Sequence, residues 1–164
     1  LSDGVILQNP GRYPVDSARL ARAAAAVLAA HPEHRDGSLS IVLTDSRTVA
    51  SLNAEYGQAA GTTDVLAFPA ATALDAPATI AENRPYLGDI IVAHDYVSAQ
   101  VEGLGAALSD VLCLLVIHGT LHLLGYEHDS PTAMSKMWSA QERALHAAGI
   151  SASVVDVYGN IEHD

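Results

Sequence analysis

The segment that most constrains how this chain can fold is "VLCLLVIHGTLHLLGY", residues 111–126. It is apolar on every face, yet it falls short of the ~20 residues that a membrane span needs. Such a segment has to be the buried central helix of a globular core. It carries two histidines, His118 and His122, and meets a helix-stopping glycine at Gly125. Whatever packs around this helix also surrounds two imidazoles.

A chain of 164 residues suits one domain with one core, taken here as 1–164. With 49% hydrophobic and 16% charged residues the composition is that of a globular protein. Cys113 is the single cysteine, which excludes an intrachain disulfide and any cysteine-rich zinc site. That usage fits a reducing compartment. The opening "LSDGVILQNPGRYPVD" has no basic start, apolar stretch or cleavage site of a signal peptide; because it begins at Leu1, a short leader could precede it. The formal net charge is -11. A generic nucleic-acid binder would be basic, so any such role must depend on a local feature, a metal ion or a partner.

The pattern along the chain mixes strands and helices without strict alternation, which predicts an α+β fold. Strands are expected at 5–9, at 38–45 (alternating, hence half-buried), at 63–70 and at 86–95. Helices are expected at 15–31, capped by Asp16 or Ser17, at 46–57, at about 95–103, at about 107–124, and at 130–149. The last of these has Ser130 as N-cap, Pro131 in the first turn and Gly149 past the end. Residues 71–85 lack periodicity and hold two prolines, which predicts a flexible exposed loop; the tail 150–164 reads as irregular.

His118 and His122 are four apart, so on a helix both imidazoles face the same way. Gly125 can adopt a left-handed conformation and turn the chain back, bringing His128 to the same point. H-x3-H-x5-H supplies three nitrogen ligands and leaves a fourth position open, as in a catalytic rather than a structural zinc site. Zinc suits an all-imidazole set best, with nickel or another first-row ion as alternatives. The other five histidines show no such grouping and read as surface or satisfied core residues.

The spacing is also that of metzincin proteases, but those need glutamate directly after the first histidine, and here Gly119 stands there. Glycine within a helix costs about 1 kcal/mol relative to alanine. Gly119 is therefore a candidate for leaving room for a substrate group beside the metal. Asp89, in a strand expected to be buried, is a candidate to hold a ligand imidazole or to serve as a base, against a structural role at the strand edge. Thr63 and Asp64 read as a turn, Glu127 and Asp129 as solvated flanks of His128, and Cys113, Met134, Met137 and Trp138 as core.

"HGTLHLLGYEHD", residues 118–129, closely resembles the H-G-x-L-H-L-x-G-Y-D-H signature of the YbeY family, bacterial endoribonucleases and rRNA maturation factors. "LNAEY" at 52–56, "TDVLAFP" at 63–69 and "LGDIIVA" at 87–93 agree in order and spacing, so the resemblance spans about 38–150. It implies a four-stranded mixed sheet against a bundle of helices, with one zinc held by His118, His122 and His128. It further implies a cytoplasmic single-strand endoribonuclease that matures the 3′ end of 16S rRNA and serves ribosome quality control, with ribosomal RNA and the small subunit as partners. The chain departs from the family pattern at Glu127, where aspartate is usual, and at Gly57, where the family carries an arginine. Arg84 is a candidate to meet RNA phosphate in its stead. Two alternatives use the same ligands: a zincin-like metallopeptidase, and a non-catalytic ribosome-associated factor in which the metal only holds the fold.

Overall fold

The computed structural model describes residues 4–56, 63–70 and 84–159. Four strands form one sheet: β1 (Val5–Gln8), β2 (Ser38–Thr44), β3 (Val65–Pro69) and β4 (Tyr86–Ala93). Their order is β1-β2-β4-β3; the first three run parallel, and β3 closes one edge antiparallel to β4. The helices among the described residues are α1 (Ser17–Ala29), α2 (Ser46–Tyr56), α3 (His94–Val101), α4 (Leu108–Leu123), α5 (Pro131–Ala147) and α6 (Ser153–Tyr158). The result is a single α+β domain. None of these helices is long and apolar enough to cross a membrane.

The apolar segment is α4, buried from Val111 to Leu121. It lies across the sheet face that carries Leu39, Ile41, Leu43, Ile90 and Val92, and α1 and α5 pack beside it. The opposite face carries Ile91 and Ala93 and is covered by Val49 of α2. Helix ends follow their local signals. Asp16 caps α1 by accepting from the Arg19 N–H at 3.1 Å, and Ser130 caps α5 by accepting from Ala133 N–H at 3.1 Å.

The structure differs from the sequence pattern at three places. The first half of β2 is not half-buried: Ser38 and Ser40 are as buried as Leu39 and Ile41, Ser38 meeting the Pro85 carbonyl and Ser40 the Tyr86 hydroxyl. Ser38 Oγ donates to the Pro85 carbonyl at 3.0 Å, so residues 84–85 are docked on β2 rather than part of a flexible loop; 71–83 lie outside the described residues. The tail is not all irregular, since α6 inserts Val154 into the core against α4. A helix of six residues with no side-chain cap has little stability of its own and owes its form to that packing.

Candidate metal centre

Helix α4 places His118 and His122 one turn apart near its C-terminal end. There Gly125, at φ +99°, closes the helix. The Gly125 N–H donates to the His122 carbonyl at 3.0 Å and the Tyr126 N–H to the Leu121 carbonyl at 3.1 Å. This pair of bonds is the Schellman arrangement, which satisfies carbonyls the helix would otherwise leave open. The reversed chain returns His128 to the two helical histidines. Ring centroids are 4.6 Å apart for His118–His122, 5.1 Å for His122–His128 and 5.6 Å for His118–His128. One nitrogen from each ring lies within 4.8 Å of the other two, so the three can hold a metal ion.

The outer nitrogens fix the protonation pattern. His122 Nδ1 lies 2.9 Å from the Tyr126 carbonyl, and His118 Nδ1 lies 3.2 Å from Gln141 Oε1. Both partners are acceptors, so each Nδ1 carries the hydrogen and each neutral ring keeps a bare lone pair on Nε2. These two Nε2 atoms face each other at 3.1 Å. His128 Nε2 is buried with no hydrogen-bond partner. Facing lone pairs and an orphaned buried nitrogen repel or go unsatisfied in a bare protein, and a cation between them satisfies all three. Protonation is a poor substitute. Burial pushes the His118 pKa down to about 3, the neighbouring His122 and His128 push the same way, and the Gln141 bond and the Asp64 charge oppose them weakly.

Other groups wall the centre. The Trp138 ring of α5 stacks on His128 at 5.8 Å and lies 6.0 Å from His118, while Met137 goes into the core. Asp64, just before β3, is 1% exposed and more than a turn residue. Its carboxylate accepts from the Tyr158 hydroxyl of α6 at 2.9 Å, and Thr63 donates to its other oxygen at 3.4 Å. Glu127 is exposed, its carboxylate 3.8 Å from His122 Nδ1; the neighbouring Tyr126 carbonyl, much closer, orients that ring.

Two candidates from the sequence stand elsewhere. The space beside Gly119 is not open to a substrate: a Cβ there would lie 2.8 Å from Ile90 Cγ2. The glycine lets α4 settle on β4. Asp89 is buried, and Gln141 and the Tyr126 carbonyl take the outer nitrogens of His118 and His122. Strand alternation puts Asp89 on the sheet face of Ile91 and Ala93, away from Gly119. There it receives a hydrogen bond from the Tyr86 hydroxyl, which also meets Ser40 at 2.7 Å. Arg84 reaches the Asp36 carbonyl at 3.5 Å, and its guanidinium lies against Gly4, at the start of β1 and β2. Gly57 lies outside the described residues.

Gln141, the Tyr126 carbonyl and Tyr158 escaped the sequence reading, and Trp138 was read only as core. Only Gln141 left a trace: it is the polar residue at a helical repeat of Met134, Met137 and Leu145.

The family model described as Endoribonuclease YbeY matches residues 8–149. Endoribonuclease YbeY of Thermobifida fusca is 34% identical over 137 residues, 84% of this chain and 88% of that protein. Endoribonuclease YbeY of Nocardioides sp. is 35% identical over 143 residues, 85% of this chain and 93% of that one. Among solved structures, the solution structure of TM1509 from Thermotoga maritima is similar, with a TM-score of 0.53 at 21% identity over 90% of this chain and 97% of that one. That likeness concerns the fold. The family model extends over β2, β3, β4, α4 and the loop that returns His128, and together with the relatives it makes this chain a member of the endoribonuclease YbeY family.

Proposed function

We propose that this chain is a zinc-dependent, single-strand endoribonuclease that matures the 3′ end of 16S rRNA and takes part in ribosome quality control in the cytoplasm. The family is one of endoribonucleases, hydrolases that act on RNA phosphodiester bonds. The observation that carries the metal is the convergence of one nitrogen from each of three imidazoles, two of them ε nitrogens left without protons by acceptors on the far side of the ring. Three imidazoles with an open fourth position favour zinc, nickel being the next choice. A bound divalent cation supplies Lewis acidity toward a phosphate oxygen.

The residues prepare that chemistry. Gln141 and the Tyr126 carbonyl hold the helical imidazoles in one tautomer, and Trp138 keeps water from one side of the rings. A chain of net charge -11 repels an anionic polymer overall. RNA would therefore be drawn to the one place where a cation is held. A single-stranded end enters a cleft more readily than a duplex does. The small ribosomal subunit is the partner that presents it.

The metallopeptidase alternative lacks its base. Gly119 abuts Ile90 where a protease has glutamate, and Asp89 is on the other face of the sheet. The test is incubation of the zinc-loaded protein with a precursor carrying the 3′ end of 16S rRNA, beside a folded His122→Ala variant. Cleavage by the wild type alone supports the proposal. No cleavage by a wild type holding one equivalent of metal would turn the reading to a ribosome-associated factor whose metal only holds the fold, with Gly57 as the missing arginine.

A further inference from the structure

His31 lies just past the C-terminal end of α1, far in sequence from the three ligands. Its Nδ1 is 2.7 Å from the Val27 carbonyl in the last turn of α1. A carbonyl only accepts, so Nδ1 carries the hydrogen and the neutral ring offers the lone pair of Nε2. That lone pair meets the Tyr126 hydroxyl at 2.8 Å, with the two rings edge to face at 5.5 Å and 82°. Tyr126 is the residue whose carbonyl accepts from His122 Nδ1. A line of hydrogen bonds thus runs from the end of α1 through His31 and Tyr126 to a ring of the metal centre.

The line matters because of what Tyr126 has to hold. The loop from Gly125 to Asp129 carries both the acceptor for His122 and the third histidine. Its two ends are tied, by the Schellman turn to α4 and by the Ser130 cap to α5. Gly125, Glu127 and Asp129 are exposed. Besides His128, the Tyr126 side chain reaches back into the fold, where it packs against the core. Without the His31 bond, the phenol can swing and carry its own carbonyl away from His122.

We propose that His31 is a positioning residue of the metal centre: through the Tyr126 hydroxyl it fastens the ligand loop to α1 and so raises the affinity for the cation. The inference rests on the metal reading above but names residues that reading does not need. Partners behind a ligand are commonly worth 10–100-fold in metal affinity. Here the partner acts one residue further out, which puts the expected effect near the lower limit.

The experiment measures zinc affinity by competition with a chromophoric chelator for wild type, His31→Ala, Tyr126→Phe and the double variant, with thermal midpoints of the chelated proteins recorded beside it. Tyr126→Phe keeps the ring and removes one oxygen, so it guards against a His31→Ala variant that fails to fold. The expected result is roughly tenfold weaker binding in each single variant and no further loss in the double. Affinity within twofold of wild type overturns the proposal, even if the thermal midpoint falls, because the bond would then serve the fold alone. Additive losses overturn it too, since the two residues would be acting separately. A wild type that binds no stoichiometric zinc defeats the metal reading itself and is recognised before any variant is made.

Discussion

Gly119 and Ile90 share one space. The glycine sits in the middle of a helix and a side-chain methyl of the strand lies where its Cβ would be, at 2.8 Å. Alanine at 119 gains helix propensity of about 1 kcal/mol, but overpacking a rigid core costs about 1–3 kcal/mol. Gly119→Ala is therefore expected to lower stability, with α4 displaced from the sheet. A double-mutant cycle with Ile90→Ala, followed by urea unfolding, checks the cause. The double variant should be more stable than the sum of the single losses.

Gln141 fixes the tautomer of His118 from 23 residues away. Gln141→Leu keeps the volume and removes the acceptor, so the His118 ring is free to turn its proton inward. Zinc affinity is expected to fall by roughly 10–100-fold while the fold persists. Isothermal titration on the chelated and dialysed protein reads the change; unchanged affinity would contradict the orienting role.

The metal-free protein should lose stability in mild acid. Burial lowers the pKa of His118 to about 3 and also lowers that of His94. In the unfolded chain both titrate near the ordinary value of about 6.5. Below that pH the unfolded state binds more protons than the folded one, so stability rises with pH through this window and falls as acid is added. Thermal midpoints of chelated protein should drop between about pH 7 and pH 5, and excess zinc should raise them most at the upper end of that range, since the metal binds only neutral imidazoles. A flat profile would mean that the buried rings are not held neutral.

Cys113 is fully buried on α4, and burial pushes its thiol up to about 11. The thiolate is the reactive form, so a thiol reagent at pH 8 should leave the native protein unlabelled and label it fully once denaturant is added. Rapid labelling of the native state would mean that α4 opens readily.

Tyr158 donates to the buried Asp64 carboxylate at 2.9 Å and joins α6 to the start of β3. Tyr158→Phe leaves that carboxylate short of one donor, which costs about 1–3 kcal/mol. Guanidinium unfolding at neutral pH reads the loss, which Asp64→Asn in the same background should partly restore.

What the sequence revealed of this fold was what local chemistry encodes. Asp16, Ser130 with Pro131, and Gly125 mark helix ends because caps act within one turn, and the three histidines stand out because helical spacing is itself geometry. The burial of Ser38 and Ser40 was hidden, because it depends on which strands flank β2. The face chosen by Asp89 was hidden for a similar reason. It is set after a register shift between Tyr86 and Gly88, where Gly88 takes φ +141° and a Cβ would strike the Phe68 carbonyl oxygen at 2.1 Å. α6 was missed because its six residues have no cap. The acceptor for His122 left no mark at all, being a main-chain carbonyl that every residue possesses.

That last feature makes the centre unequal in its tolerance to change. Because a peptide oxygen orients His122, any amino acid at position 126 still supplies it, and point substitution there cannot delete the acceptor. The count of residues from His122 to Tyr126 is what cannot vary. Inserting or removing one would shift the oxygen out of line and rotate His128 with it. A substitution at 126 can displace that oxygen without removing it, whereas a change of length takes it away from the ring altogether.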